Sequence, residues 1–398
     1  MKVQPSLEEC KQLMEKECVG VIPISTEIYA DTCTPVEVLR ILKHVSSHVY
    51  LLESAEADKR WGRYSFLGYD PLLEITGYNG TVTIKTPLTT QTTREDIRSR
   101  IRSIIEENKS PKFDYLPSFT GGLVGYFSYD YIKYSEPTLQ LDAEEGDIFQ
   151  VVLSNRLEAE MEGSLLDAYR VLRTLNPSPY MFYFSGSDGE IAGASPETLV
   201  KLEQDKLYTF PLAGTRPRGA TPAEDARLET ELLADEKERA EHNMLVDLGR
   251  NDIGKISRIG TVSVEKYMSI ERYSHVMHIG STVSGIIRED KDALDAVDAI
   301  LPAGTLSGAP KLRACEIINE LENNKRGIYG GAIGYISFTG NLDTCIAIRL
   351  AFTKNGKVFI RSGAGIVADS VPEKEYRECI QKAAAVKNAI LTAQEGME

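Results

Sequence analysis

The sequence lacks the features that assign a chain to several large classes of proteins. Its five histidines show no clustered Cys/His spacing and its cysteines form no CxxC pair, so neither a zinc site nor a disulfide framework is expected. No run approaches the roughly 18–20 apolar residues of a spanning helix, and no apolar secretory segment follows Met1. These absences predict a cytoplasmic protein with reduced, buried thiols at Cys10, Cys18, Cys33, Cys315, Cys345 and Cys379.

Positive charge is also scarce. Lys and Arg number 45 against 59 Asp and Glu, which gives a formal net charge of −14. Nucleic acids and anionic membranes are bound by basic surfaces, so neither is an expected partner. The 398 residues are 42% hydrophobic and 26% charged, which is typical of a globular protein with two domains or one large one. A protein that acts on small molecules is therefore expected.

Strand-like and helix-like segments are mixed without strict alternation, which predicts an α+β fold rather than a doubly wound parallel sheet. Strands are expected at 19–26, 49–52, 81–85, 149–157, 180–185, 331–337, 344–352 and 358–362. Helices are expected at 35–47, 94–108, 221–248 with one break near 234–235, 292–301, 311–321 and 372–391. The polar stretch 88–117 is expected to connect two parts, with a boundary near residue 140.

Two pairs of glutamates stand three residues apart on separate predicted helices. Glu238 and Glu241 form one pair, and Glu375 and Glu378 form the other. At this spacing both carboxylates of a pair share one helical face. Buried carboxylates from two helices would offer the oxygen ligands that Mg²⁺ prefers. Spacing alone nevertheless favours the alternative, that both pairs lie on solvated helix faces.

Three glycine-containing segments also carry hydroxyl or basic residues, at 211–219, 303–311 and 361–366. Glycine lets backbone N–H groups approach an anion, so these segments are candidate anion sites. Segment 303–311 lacks the Gly-Lys-Ser/Thr ending of a phosphate loop, and a nucleotide is not expected. Arg349 interrupts an apolar run and needs an anionic partner, either a ligand carboxylate or an internal acid. His278 has either a structural or a catalytic role.

Taken in order, these segments resemble the chorismate-utilising enzymes, and most closely the large subunits of anthranilate synthases. The matching pieces cover most of residues 145–392 and are 211–219, 240–252, 273–278, 301–311, 330–335 and 363–366, with Glu378 and 381–382. The amino-terminal third is similar but shorter than in many bacterial members. The resemblance implies two large, mainly antiparallel β-sheets flanked by helices. It also implies an amino-terminal region, 1–140, that contributes a tryptophan feedback site, interlocked with a chorismate-binding catalytic domain, 141–398.

The resemblance implies roles for individual residues. The catalytic residues would be Glu197, His278 and Thr305, with Glu197 as the general acid for the departing C4 hydroxyl of chorismate. Glu241 and Glu378 match Mg²⁺ ligands, and Glu238 and Glu375 match acids that act through water. The substrate contacts would be Gly214, Thr215, Tyr329, Arg349, Gly363, Ala364, Gly365 and Lys382. The tryptophan site would be Glu53, Ser54, Pro179, Tyr180 and Met181, for which packing at a domain interface is the alternative.

Two positions indicate which reaction is implied. Water-adding members carry a lysine base where this chain has Gln150, and a neutral amide cannot deprotonate water. Aminodeoxychorismate synthases, the alternative assignment, commonly carry a lysine nucleophile where this chain has Ala213. Both departures favour conversion of chorismate and ammonia to anthranilate and pyruvate, the first committed step of tryptophan biosynthesis.

The resemblance also implies a partner. No segment resembles a glutaminase, so ammonia from glutamine would require a separate amidotransferase subunit, in a heterotetramer, with an ammonia-only enzyme as the alternative. Tryptophan is implied as a feedback inhibitor. A catalytically inactive subunit is disfavoured, because the metal-site acids and Arg349 are all present.

Overall fold

The computed structural model describes residues 3–16, 19–54, 64–135, 148–187, 189–273 and 276–396. The helices are α1 Leu7–Lys16, α2 Pro35–Val45, α3 Ile97–Glu107, α4 Ile132–Ser135, α5 Leu165–Leu175, α6 Pro222–Ala234, α7 Glu236–Gly254, α8 Ala293–Ile300, α9 Lys311–Leu321 and α10 Pro372–Glu395. Short 3₁₀ turns cover Tyr129–Tyr131 and Gly304–Leu306. The expected boundary near residue 140 lies outside the described residues.

The strands are numerous and vary widely in length. They are β1 Val49–Glu53, β2 Phe66–Tyr69, β3 Glu74–Tyr78, β4 Thr81–Lys85, β5 Thr90–Arg94, β6 Gly122–Phe127, β7 Gln150–Glu160, β8 Tyr180–Gly186, β9 Gly189–Ser195, β10 Thr198–Glu203, β11 Lys206–Thr209, β12 Leu212–Pro217, β13 Ser263–Arg272, β14 Val276–Ile286, β15 Gly308–Ala309, β16 Ala332–Ser337, β17 Leu342–Ile346, β18 Leu350–Lys354 and β19 Lys357–Ile366.

Two large antiparallel sheets dominate the fold. The first has the order β15-β7-β19-β18-β9-β8-β1-β2, and the second has the order β12-β14-β11-β10-β17-β16-β6, with β13 paired to β14. A small third sheet contains β3, β4 and β5. The predicted α+β class, with two large, mainly antiparallel sheets flanked by helices, is confirmed.

Three apolar layers hold the sheets and helices together. Helices α2, α5 and α10 cover the first sheet around Leu39, Leu165 and Ala383. Helices α7 and α8 cover the second sheet in a separate layer of buried aliphatic side chains. Between the sheets, Phe182 of β8 meets Ile333 of β16. Each fully buried large aliphatic or aromatic side chain in these layers contributes about 1.5–3 kcal/mol by leaving water.

The helices begin where the sequence supplies caps. Thr34 and Thr221 each accept a hydrogen bond from a backbone N–H of the first turn, and a proline follows each of them at the first helical position. Asp292 forms a reciprocal capping box with Asp295 at the start of α8. These local signals explain why the helix positions could be predicted.

At two neighbouring points the chain passes directly from a strand of one sheet to a strand of the other, without a helix between them. One crossing joins β9 to β10 and contains Glu197, and the other joins β17 to β18 and contains Arg349. The two crossings are hydrogen-bonded to each other, from Ala194 N to Arg349 O at 3.1 Å and from Ile346 N to Glu197 O at 2.9 Å. The crossings therefore bring a carboxyl group and a guanidinium from distant parts of the sequence to one junction.

Several predicted elements need correction. The strand expected at 19–26 is absent from the described residues there, except for an isolated bridge between Ser25 and Gln4, because Pro23 lacks an N–H and the segment is only half-buried. The strand expected at 344–352 is two strands in different sheets. The predicted break in the helix at 221–248 is confirmed, with Asp235 between α6 and α7.

The cysteines agree only in part with the expectation of buried thiols. Cys315, Cys345 and Cys379 are buried and free, whereas Cys10 is half-buried and Cys33 is exposed. The prediction was wrong for these last two because it assumed burial from residue type. Cys18 lies outside the described residues. Within the described ranges, every helix is too short or too polar to cross a bilayer.

Candidate active site

Glu197 lies at the first crossing, with its carboxyl group inside a cleft between the sheets. Its Oε1 accepts a hydrogen bond from Thr305 Oγ1 at 3.0 Å. Burial raises the pKa of Glu197 to about 7, although the Thr305 hydrogen bond and the charges of Lys382 and Arg349 oppose the shift. The group is therefore poised to carry a proton near neutral pH.

Arg349 lies at the second crossing in a left-handed backbone conformation, with φ of 51°. That conformation is uncommon outside glycine and ends the run of strand pairing, which is why the apolar segment splits into two strands. Burial lowers the pKa of Arg349, while Tyr329, Glu197 and Glu378 act in the opposite direction. Within the described ranges, no carboxylate lies within 4.0 Å of this guanidinium, so an internal salt bridge is not formed there.

His278 is the third residue of β14 and is held by the irregular part of the neighbouring strand β12 that carries Gly214 and Thr215. Its Nδ1 lies 2.7 Å from Gly214 O and 3.2 Å from Thr215 Oγ1. A carbonyl only accepts, so Nδ1 carries the proton and Nε2 keeps its lone pair. Burial lowers the pKa of His278, which keeps the ring neutral at pH 7. The tyrosine ring of Tyr273 meets this ring edge-on at 5.5 Å between centroids.

The first glutamate pair lies near the start of α7. Asp235 caps this helix by accepting from the backbone N–H of Glu238 at 3.2 Å, and Arg216 Nη2 donates to Asp235 at 2.9 Å. Burial, and then the charge of Glu238, raise the pKa of Glu241. Gly214 has φ of 64°, and a Cβ there would lie 3.2 Å from Glu238 Oε2, so the glycine allows the helix to approach its strand.

Gln150 links Glu241 to the first sheet. Its Nε2 donates to Glu241 Oε1 at 3.4 Å, and a Cβ on Gly365 would overlap the same amide group. Gln150 Oε1 is buried without a hydrogen-bond partner among the described residues. An unpaired buried acceptor facing this cleft is a place where a ligand donor can bind.

The second glutamate pair lies near the start of α10. Lys382 Nζ contacts Glu378 Oε1 at 2.6 Å and Gly363 O at 3.2 Å, which ties the helix to β19. Gly363 lies close to Tyr329, since a Cβ there would be 2.9 Å from the tyrosine oxygen. Glu375 is half-exposed, and its carboxylate makes no hydrogen bond or ion pair within the described ranges.

Most of the predicted site residues converge on this cleft. Lys382 affects the pKa of both Glu197 and Glu241, and Arg349 affects that of both Glu197 and His278. Ala364 is buried between Gly363 and Gly365 on the same strand. A cavity of about 40 Å³ opens beside Glu197 and Thr305, walled by Leu199, Leu245, Leu248 and Ile346.

The residues predicted to bind tryptophan lie at a different place. Strand β1 pairs with β8, and Glu53 is in register with Met181. The Glu53 carboxylate accepts from Tyr169 at 2.5 Å and contacts Arg173. The two predicted halves, distant in sequence, therefore lie next to each other.

The remaining three residues of that group differ in their contacts. Tyr180 donates to Asp343 at 2.8 Å, and burial raises its pKa well above the usual value. Pro179 is half-buried. Ser54 Oγ is buried and has no hydrogen-bond partner among the described residues.

Sequence reasoning missed one set of charged residues behind the cleft. Glu322, Arg326 and Arg361 form a buried ionic cluster between α9 and β19. Glu322 and Arg326 follow the last residue of α9, where helical spacing gives no signal, and nothing in the sequence linked either of them to Arg361.

Comparison with known proteins identifies the family. A family model described as chorismate binding enzyme matches residues 137–388. The anthranilate synthase component 1 of Acetivibrio thermocellus is 42% identical, with 98% of this chain and 99% of the relative covered. That alignment spans 492 positions, more than the 398 residues of this chain, so the relative has positions without a counterpart here. The corresponding protein of Aquifex aeolicus is 40% identical, with both chains fully covered.

Solved structures give the same result. Anthranilate synthase component I from Streptococcus pneumoniae superimposes with a TM-score of 0.58 at 33% identity, covering 91% of this chain and 87% of that one. The menaquinone-specific isochorismate synthase MenF of Escherichia coli shares the fold, with a TM-score of 0.58 at 22% identity over 89% of this chain and 82% of that one. The chain therefore belongs to the chorismate-binding enzyme family, in its group of anthranilate synthase component 1 proteins.

Proposed function

We propose that this chain converts chorismate and ammonia to anthranilate and pyruvate. The observation that carries the proposal is Glu197, a carboxyl group with a pKa raised to about 7 that receives a hydrogen bond from Thr305 and lies near Arg349 and Lys382. Loss of the C4 hydroxyl from chorismate requires an acid, because hydroxide is a poor leaving group. Glu197 would donate that proton, and the hydroxyl would leave as water.

The nucleophile would be ammonia, added at C2 of the ring. Gln150 is a neutral amide beside Glu241 and cannot deprotonate water, whereas ammonia is already nucleophilic. The Oε1 atom of Gln150, which has no hydrogen-bond partner among the described residues, is suited to accept a hydrogen bond from an amine. The neutral His278, with Nε2 available, is a candidate base for the second step, in which pyruvate is eliminated and the ring becomes aromatic.

The two substrate carboxylates would be held by separate groups. Arg349 is a buried guanidinium without a carboxylate partner among the described residues, so a ligand carboxylate is the anion that it lacks. Tyr329 acts on the pKa of Arg349 and lies beside Gly363, so its hydroxyl and the backbone of Gly363, Ala364 and Gly365 would donate further hydrogen bonds to the substrate. Gly214, Thr215 and Lys382 complete the predicted contacts around the same cleft.

The two glutamate pairs offer carboxylate oxygens, which are the ligands that Mg²⁺ prefers. Glu241 and Glu378 would hold the metal, with Glu238 and Glu375 acting through water. The raised pKa of Glu241, caused by burial and by Glu238, indicates negative charge that a cation would stabilise. No group of three or more potential protein ligands is preassembled among the described residues, so water and a substrate carboxylate would complete the coordination. Bound Mg²⁺ would orient that carboxylate and screen its charge.

Two further proposals concern inhibition by tryptophan and the source of the ammonia. Tryptophan would bind at Glu53, Ser54, Pro179, Tyr180 and Met181 and inhibit by favouring a state with lower chorismate affinity. The pairing of β1 with β8 and the hydroxyl of Ser54, which is buried without a hydrogen-bond partner among the described residues, support this proposal. Ammonia would come from glutamine through a separate amidotransferase subunit, as the component 1 designation of the relatives suggests, in a heterotetramer.

The product identifies the reaction. The chain is incubated with chorismate, Mg²⁺ and ammonium, and anthranilate is detected by fluorescence. Formation of isochorismate or of 4-amino-4-deoxychorismate instead would refute the proposal and, in the latter case, favour an aminodeoxychorismate synthase. Glu197→Gln should form no product, whereas Glu203→Gln, a matched change on the half-exposed end of β10, should be fully active. Adding glutamine without ammonium and without a partner should give no anthranilate.

A further inference from the structure

The buried ionic cluster of Glu322, Arg326 and Arg361 lies directly behind the proposed active site. The exposed fractions of these side chains are 6%, 2% and 5%. Glu322 contacts Arg326 Nη2 at 2.6 Å and Arg361 Nη2 at 2.9 Å, and it accepts from Ser154 N and Oγ, both at 2.8 Å. Burying three charges requires a large loss of hydration, and apolar side chains often stabilise a fold equally well. The cluster therefore calls for an explanation beyond stability.

Arg326 connects the cluster to the proposed general acid through the 3₁₀ turn at Gly304–Leu306. Arg326 Nη1 donates to Leu306 O at 2.6 Å, and its Nη2 donates to Val152 O at 2.6 Å. Leu306 ends the 3₁₀ turn that contains Thr305, whose hydroxyl donates to Glu197 at 3.0 Å. Arg326 thus fixes the turn that presents Thr305 to the acid.

Arg361 connects the cluster to the strands β7 and β19, the second of which carries the proposed substrate-binding backbone. Arg361 precedes Gly363 by two residues on β19, and its Nε donates to Ser154 Oγ at 2.8 Å. Ser154 of β7 is in register with Gly363. The Arg361 guanidinium also donates to Asn324 Oδ1 at 2.8 Å, which ties these strands to the segment after α9.

We infer that Glu322, Arg326 and Arg361 are positioning residues that hold two sides of the active site in register. One side is Glu197 with Thr305, and the other is the Gly363–Gly365 backbone with Gln150 on the neighbouring strand. None of the three belongs to the proposed substrate contacts, and they act through the Thr305 turn and Ser154. The inference rests on the proposed function, because it takes Glu197 as the acid.

The test combines Arg326→Lys with Thr305→Val. Lysine keeps the charge but loses the fork that reaches two carbonyls, so the Thr305 turn should shift. The kcat for anthranilate formation should fall about 10- to 100-fold, while the KM for chorismate changes less than about threefold. Thr305→Val should lower kcat by itself but add little in the Arg326→Lys background, because both changes remove one interaction.

The pH profile supplies a second readout. The Thr305 hydrogen bond lowers the pKa of Glu197, as do Lys382 and Arg349, which the variant leaves in place. Loss of that bond in Arg326→Lys should move the upper limb of the profile to higher pH. A purely structural role would leave the limb where it is in the wild type.

Glu190→Gln is the matched control. Glu190 is a partly buried carboxylate that accepts from Lys43, from Ser164 Oγ at 2.9 Å and from a backbone N–H, and none of these groups belongs to the cleft. Its loss should lower the melting temperature and leave kcat and the pH profile unchanged. Glu322→Gln should lower both the melting temperature and kcat.

Two results would overturn the inference: Arg326→Lys behaving like Glu190→Gln, or Thr305→Val lowering kcat by the same factor in both backgrounds. If Glu322→Gln or Arg326→Lys fails to fold, Ser154→Ala, which removes one hydroxyl of the cluster, decides by the same kcat and KM criteria. If the wild-type protein forms no anthranilate, the proposed function is refuted instead. If it forms another product, the coupling between Arg326→Lys and Thr305→Val can be measured on the rate at which that product forms.

Discussion

The raised pKa of Glu197 makes the stability of the protein depend on pH. Glu197→Gln replaces the carboxyl group with a neutral side chain of the same shape, which can still accept from Thr305. An ordinary glutamate has a pKa of 4.5, whereas burial raises that of Glu197 to about 7 in the folded protein. Between these values the folded state holds a proton that the unfolded state has lost, so the stability of the wild type decreases as pH rises.

The magnitude follows from the size of the shift. Each pKa unit corresponds to about 1.4 kcal/mol, so the wild type should lose up to about 3 kcal/mol between pH 4.5 and pH 7 through this one group. Glu197→Gln should match the wild type below pH 4.5 and become more stable above it, with the difference reaching its maximum near pH 7. The measurement is the melting temperature of both proteins over this range, with the exposed Glu289→Gln as the control.

Glu197→Gln should lower activity, although it should increase stability. Glu197→Gln cannot donate a proton and should reduce kcat by at least about 10²-fold. In the wild type, kcat/KM for chorismate should fall about tenfold per pH unit above pH 7, provided that free ammonia is held constant. A stability difference that does not vary with pH, or an active variant, would refute the assignment of Glu197 as a neutral acid.

Three other predictions follow from individual side chains. Arg349→Lys should raise the KM for chorismate about 10- to 100-fold in steady-state kinetics, since it loses a bidentate contact; an unchanged KM would place the carboxylate elsewhere. Removal of Mg²⁺ with EDTA should abolish activity, and Glu241→Gln should raise the half-saturating Mg²⁺ concentration at least about tenfold; equal titrations for both proteins would exclude this ligand. Ser54→Ala should weaken tryptophan inhibition about tenfold without changing the uninhibited rate, and inhibition equal to that of the wild type would exclude a contact with this hydroxyl.

Local signals in the sequence predicted the helices well. Thr34 with Pro35 and Thr221 with Pro222 mark helix starts, and the break between α6 and α7 falls at Asp235, which caps the second helix. Such signals act within one turn of chain, so no tertiary contact is needed to interpret them. The same holds for β4, whose predicted bounds agree with Thr81–Lys85.

Features created by contacts between distant segments were not predictable in the same way. The apolar run around Arg349 has the composition of one strand, but its two halves belong to different sheets, and the left-handed residue between them depends on the neighbouring crossing. Glu322 and Arg361 are far apart in sequence and meet only because β19 lies beside β7. The resemblance to chorismate-utilising enzymes predicted the residues of the cleft. The buried ionic cluster behind the cleft can be recognised only in the three-dimensional structure.

The net charge of −14 gives little guidance to a site that is proposed to bind a dianion. Charges separated by more than about 10 Å are largely screened at ordinary ionic strength, so the acidic exterior has a small effect inside the cleft. There, burial acts on each group separately: it raises the pKa of Glu197 to about 7 and lowers the pKa of His278 and of Arg349, and among the described residues no carboxylate lies within 4.0 Å of the Arg349 guanidinium. Near pH 7, Glu197 is therefore partly protonated and His278 is neutral, whereas the guanidinium of Arg349 keeps its charge. The polarity of the cleft is thus set by the ionisable groups that are buried at the two crossings and on β14, and a surface mutation that changes the net charge should leave it unaltered.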